Sequence, residues 1–195
     1  TQNDDLFLNP DLITNIISLS SPSHKIDTRT YAVATIKNET HNINFRKILV
    51  KVSNFTDLFN VFNSTTKKPQ LLQQCAAAMR NLITEQANID LLIKNNIQIH
   101  LINSMLRFVD SADYCYVCFR ILTKISGIEK VRNSLFKQFS EKTVLTLFYT
   151  LLDKHKTHVL LVSRLSYVFA DFASNIPSFI ESAGKLTEPY SISVI

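Results

Sequence analysis

The chain is 195 residues long, 46% hydrophobic and 19% charged, with only two glycines and a formal net charge of +5. That length can bury a substantial core, and one elongated domain is the simplest organisation for it. Gly127 and Gly184 stand alone, which excludes glycine-rich phosphate loops and disfavours tight hairpins, since both need positive φ or close backbone approach. The five prolines fall between apolar stretches, where they start or stop helices. The chain reads all-α.

Mild basicity admits an acidic partner, but the cations are scattered. Lys67-Lys68 and Lys154-His155-Lys156 are the local clusters. Both fit solvated loops better than the dense basic stripe of a nucleic-acid module, so nucleic acid is disfavoured. No charged n-region or apolar h-region follows Thr1. No apolar run reaches the roughly 18 residues that a bilayer requires. The expected setting is therefore cytoplasmic, without a membrane, as one piece of a longer protein. The sequons at Asn38, Asn54 and Asn63 are then chance features of an Asn/Thr-rich sequence.

In chain order, residues 20–30 and 63–69 are the most loop-like stretches. Residues 31–38 form a first long helix. Residues 71–83 place apolar side chains at i, i+3, i+4 and i+7, and their centre, Ala76-Ala77-Ala78, permits close helix approach. A break at residues 84–86 leads to a short helix over 88–93, ended by Asn95-Asn96, which tolerate the left-handed conformation. Residues 97–108 make a third helix, and residues 111–113 restart a long one. Residues 161–172 form a last long helix, and the tail over 186–195 has no helical period.

These pieces recur. Lys37-Asn38 lies 43 residues before Arg80-Asn81. Asn44-Phe45 lies 44 residues before Asn88-Ile89, with Lys130-Val131 about as far beyond it. Ile16-Ile17, Val61-Phe62, Met105-Leu106 and Leu151-Leu152 hold a third register. One period in three registers means that a single supersecondary unit is stacked, because no unit buries its own apolar face.

Short helix, medium helix, then a long helix with a small-residue centre and an Arg80-Asn81-Leu82 end resembles the armadillo repeat. The resemblance covers about residues 9–185 and implies a right-handed α-solenoid of about four armadillo-like repeats, with HEAT-like pairs as the alternative. Its units are 5–41, 42–84, 85–126 and 127–174, and 175–195 is a partial repeat and tail. The glycine usual between the first two helices is replaced by Asn95-Asn96. More weakly, the run from Arg164 to Asn175 is similar to a segment of ciliary, radial-spoke members of that family. The implied role is a non-catalytic scaffold or adaptor in an intracellular, axonemal assembly. The rival is a transport adaptor holding an extended cargo peptide in a concave groove.

By the same resemblance, the long third helices line that groove. Register from Asn81 places Asn38, Asn81, Lys124 and Asp171 in one ladder, with Lys37, Arg80, Arg120, Arg164 and Tyr167 beside it. Asparagine amides clamp an extended backbone, and Arg forks take carboxylates. With no Trp in the chain, the groove suits an acidic or mixed-charge segment better than a basic one. Residues 144–152 and 159–162 are apolar nearly all round, so a further helical layer or a partner is expected to cover that end.

Catalytic and metal signals are weak. Cys115-Tyr116-Val117-Cys118 lacks both a βαβ context and a second ligand pair, so its thiols read as small buried hydrophobes. His155 and His158 at i, i+3 need a carboxylate such as Asp153 to hold a metal. No enzyme activity, cofactor, metal or small-molecule substrate is expected.

Overall fold

The computed structural model of the chain describes residues 6–52, 56–62 and 69–187. Among these residues a 3-10 turn at Leu6–Leu8 is followed by twelve α-helices, and no strand occurs. The helices are α1 (Pro10–Ser18), α2 (Ile26–Glu39), α3 (Ile43–Val52), α4 (Thr56–Phe62), α5 (Pro69–Leu82) and α6 (Gln86–Lys94). They continue with α7 (Ile97–Arg107), α8 (Ala112–Ile125), α9 (Glu129–Gln138), α10 (Glu141–Lys154), α11 (Val159–Asn175) and α12 (Pro177–Thr187).

Local chemistry sets many of these boundaries. Asn9 caps α1, its Oδ1 accepting from the Asp11 amide at 2.8 Å and the Leu12 amide at 3.3 Å, with Pro10 at the first helical position. Ser140 caps α10 by accepting from the Thr143 amide at 3.1 Å. Between α6 and α7 the chain turns through Asn96 at φ 56°. Asparagine tolerates this left-handed conformation better than most residues, so it stands where a glycine would otherwise serve.

The long helices α2, α5 and α8 each have 14 residues and α11 has 17; they begin at residues 26, 69, 112 and 159, spacings of 43, 43 and 47. The shorter α3, α6, α9 and α12 begin at 43, 86, 129 and 177. Two expectations change. Residues 26–30 are helical rather than loop, because the Arg29 side chain folds inward and its Nε donates to the Ser20 carbonyl at 3.0 Å, extending α2 by more than a turn. Leu186 and Thr187 likewise belong to α12 rather than to an aperiodic tail, since Pro177 starts a helix anchored by buried Phe179 and Ala183. Residues 63–68 and 188–195 lie outside the described residues.

The chain divides into two compact units, Thr1–His100 and Leu101–Ile195, with the boundary inside α7. In unit 1, α2 packs most extensively on α5, α1 packs on α2 and α3, and α4 on α5. Phe45, Leu49, Leu58, Phe62, Leu71 and Leu72 are buried there. Buried Ala32, Ala76 and Ala78 on the long helices allow close backbone approach.

In unit 2, α8 packs on α11, and α12 packs on both α10 and α11. Its core is a ring cluster. Phe119 meets Phe148 edge-on at 5.3 Å, Phe148 stacks on Phe172 at 6.1 Å, and Phe172 meets Phe179 at 5.7 Å. The apolar run on α10 is taken up inside the unit, where Val144, Leu145, Leu147, Phe148 and Leu151 are buried. Val159 and Leu160 remain exposed at the start of α11.

Candidate functional site

Every helix leaves its last four carbonyls without intrahelical donors. Here the first turns of the following short helices supply some of them. An Arg46 guanidinium nitrogen donates to the Thr40 carbonyl at 2.9 Å, the Asn88 amide to the Leu82 carbonyl at 3.1 Å, and an Arg132 guanidinium nitrogen to the Ser126 carbonyl at 3.1 Å. Each donor sits six residues beyond its acceptor. Donors at 46, 88 and 132 and acceptors at 40, 82 and 126 are both spaced by 42 and then 44. Nothing in the composition announces these contacts, although the shared spacing is a signal that was open to detection.

Two of the ladder residues close the same helix ends from a neighbouring helix. Asn81 is only 8% exposed; its amide donates to the Lys37 carbonyl at 3.2 Å and to the Thr40 hydroxyl at 3.0 Å, tying the end of α5 to the end of α2. In unit 2 the Ser126 hydroxyl, just past α8, donates to the Asp171 carboxylate on α11. Asn81 and Asp171 therefore act inside the fold. The side chain expected to clamp a partner instead fastens one long helix to the next, because the rotation of α5 aims position 81 at its neighbour.

The remaining candidates divide by unit. In unit 1, Lys37 and Arg80 are half-buried and Asn38 is exposed. In unit 2, Arg120 is half-buried while Lys124, Arg164 and Tyr167 are exposed. Asp113 bonds the His158 imidazole at 3.4 Å, the His158 ring lies 6.0 Å from that of Tyr116, and Ser126 joins Asp171. Start thus meets start and end meets end, so α8 and α11 run parallel. The Arg120 guanidinium lies 5.6 Å from the centre of the Tyr116 ring, a cation–π contact that holds it over α8.

The starts of the two helices are also tied through their connections. Lys154 pairs with Asp110, and His155 Nε2 donates to the Val109 carbonyl at 2.8 Å. Lys154 holds the Asp110 carboxyl below the ordinary carboxylate range, first through the hydrogen bond and then through its charge. His158 caps α11, its Nδ1 accepting from the Leu161 amide at 3.1 Å. His155 and His158 are thereby directed at different partners on the connection after α7 and the first turn of α8. No group of three or more His, Cys, Asp or Glu side chains is close enough to hold a metal among the described residues.

Cys115 and Cys118 are fully buried on α8. Burial, aided by the charge of Asp110, pushes the Cys115 thiol up to about 12, so its nucleophilic thiolate is strongly disfavoured. Burial likewise pushes Cys75 well above its ordinary value.

No family model, curated protein or solved structure matches this chain. Its functional reading therefore rests on its own geometry.

No single described helix is long and apolar enough to cross a membrane; the pair Val159–Asn175 and Pro177–Lys185 meets the length and composition test only jointly, bent by 119°. Sequence reasoning missed Tyr116, whose ring carries Arg120, and the seam from Lys154 to His158. The partners of Lys154, His155 and His158 lie 44 to 46 residues away in sequence.

Proposed function

We propose that this chain is a non-catalytic protein-interaction scaffold, assembled from stacked armadillo-like three-helix modules and offering the free faces of its long helices to protein partners. One observation carries the reading. The same side-chain-to-carbonyl bond closes the ends of α2, α5 and α8 at spacings of 42 and 44 residues. A chain that reuses one closure at one period is using one packing unit repeatedly, and modules of that kind serve as extended binding surfaces. Arg164 and Tyr167 occupy exposed positions of α11. The axonemal setting is carried over from the weak resemblance of residues 164–175 alone.

Crosslinking mass spectrometry on the chain in extract from ciliated cells tests the reading. Partner crosslinks should cluster at Lys37 and Lys124 on the long helices. Crosslinks confined to Lys47, Lys51 and Lys130 on α3 and α9 would sink it.

A further inference from the structure

Two hydrogen bonds dictate the protonation of the His158 imidazole. Leu161 lies in the first turn of α11, where a backbone N–H has no intrahelical acceptor. Its amide donates instead to His158 Nδ1 at 3.1 Å, so that nitrogen carries a lone pair and no proton. The other nitrogen, Nε2, lies 3.4 Å from the Asp113 carboxylate on α8 and supplies the proton of that bond. Only the neutral imidazole protonated on Nε2 makes both bonds together. Leu161 is fully buried, so losing the acceptor of its amide is costly.

The surroundings of the ring hold charges of both signs. From α8 it meets Asp113 and the Tyr116 ring, which also carries Arg120. On its own connection Asp153 and Lys156 are exposed, Lys154 is paired with Asp110, and His155 Nε2 donates to the Val109 carbonyl. His155 differs from His158 in one respect: a second proton, on Nδ1, leaves its bond to that carbonyl intact.

We propose that a proton operates His158 as a two-position latch. On charging, the imidazolium gives up the Leu161 amide, which opens the cap of α11, and keeps Asp113 on α8 as an ion-pair partner. The proton comes from solvent and occupies the Nδ1 lone pair, and no covalent bond breaks. Two donors then face each other at Leu161, and the charged ring lies against the positive end of the α11 dipole. Asp113 retains its negative charge and holds the ring on α8. Imidazoles charge between about pH 5 and 8, so mild acidification is the trigger. The freed turn is the one that presents Val159 at 74% and Leu160 at 59% exposure. This inference stands independently of the scaffold reading.

The test is an NMR titration of the full chain from about pH 8 to about pH 5, reading imidazole nitrogens, the Asp113 carboxyl carbon and amide exchange. At the alkaline end the His158 ring should be protonated on Nε2 alone. On acidification the protection of Leu161, corrected for intrinsic exchange, should fall at least fivefold in step with the His158 titration. The Asp113 resonance should move at the same midpoint, and Val168 in the middle of α11 should keep its protection within twofold. His158→Asn, which caps without titrating, should make Leu161 protection independent of pH, whereas His155→Gln should preserve the wild-type response. Constant Leu161 protection in the wild type, a ring protonated on Nδ1 at the alkaline end, or an Asp113 resonance indifferent to His158 would overturn the proposal. So would an acid response that survives in His158→Asn.

Discussion

In unit 1 the paired long helices α2 and α5 carry small buried residues, Ala32, Ala76 and Ala78, whereas in unit 2 α8 and α11 are backed by the rings of Phe119, Phe148, Phe172 and Phe179. Both solutions bury an apolar face, but they distribute the energy differently. Alanine lets backbones approach, so stabilisation spreads over many weak contacts. A ring cluster concentrates it in a few large side chains, each burying much area. The free faces differ as well. Unit 1 leaves Tyr31 at 74% exposure on α2, while unit 2 leaves Tyr167 at 54% on α11, with exposed Arg164 about one turn before it.

That contrast can be broken most directly at Phe172, 1% exposed and in ring contact with Phe136, Phe148 and Phe179. Phe172→Ala should cost about 3–5 kcal/mol, and hydrogen exchange should show the loss in unit 2 with unit 1 amides retaining protection. Equal loss of protection in both units would mean that they unfold as one.

A smaller effect is expected in unit 1. Asn81→Ala removes the bonds to the Lys37 carbonyl and the Thr40 hydroxyl and should cost about 1–3 kcal/mol. Exchange should accelerate at residues 37–40, the end of α2. Unchanged exchange there would show that α2 is held by packing alone.

A third effect appears only at alkaline pH. The Cys115 thiol has a folded-state value raised to about 12 from an ordinary 9.0, so the folded state keeps a proton that the unfolded state releases. Its contribution is present below pH 9 and is lost as pH rises from 9 toward 12. Cys115→Ala should flatten the alkaline fall in the melting temperature of unit 2 and leave that of unit 1, where Cys75 is also raised. An unchanged slope would place the alkaline transition elsewhere.

Most of the helices were legible in the chain because they rest on local rules. The apolar spacing of residues 71–83, the break at 84–86 and the turn at Asn95-Asn96 depend only on neighbours within about four residues. Residues 26–30 were less legible, since polar Asp27, Thr28 and Arg29 look loop-like until Arg29 finds the Ser20 carbonyl. The ladder was the hardest part. Asn38, Asn81, Lys124 and Asp171 share a register, yet Asn81 and Asp171 turn to neighbouring helix ends while Asn38 and Lys124 stay exposed.

The sequence by itself thus determined the all-helical class and the approximate positions of most helices, because hydrogen bonding and hydrophobic spacing within a helix are local. Only the tertiary structure decided which polar side chains fasten the fold and which remain free. That depends on how far each helix is rotated about its axis when it packs, and a rotation of one residue's arc, about 100°, moves an amide from solvent to a neighbouring carbonyl.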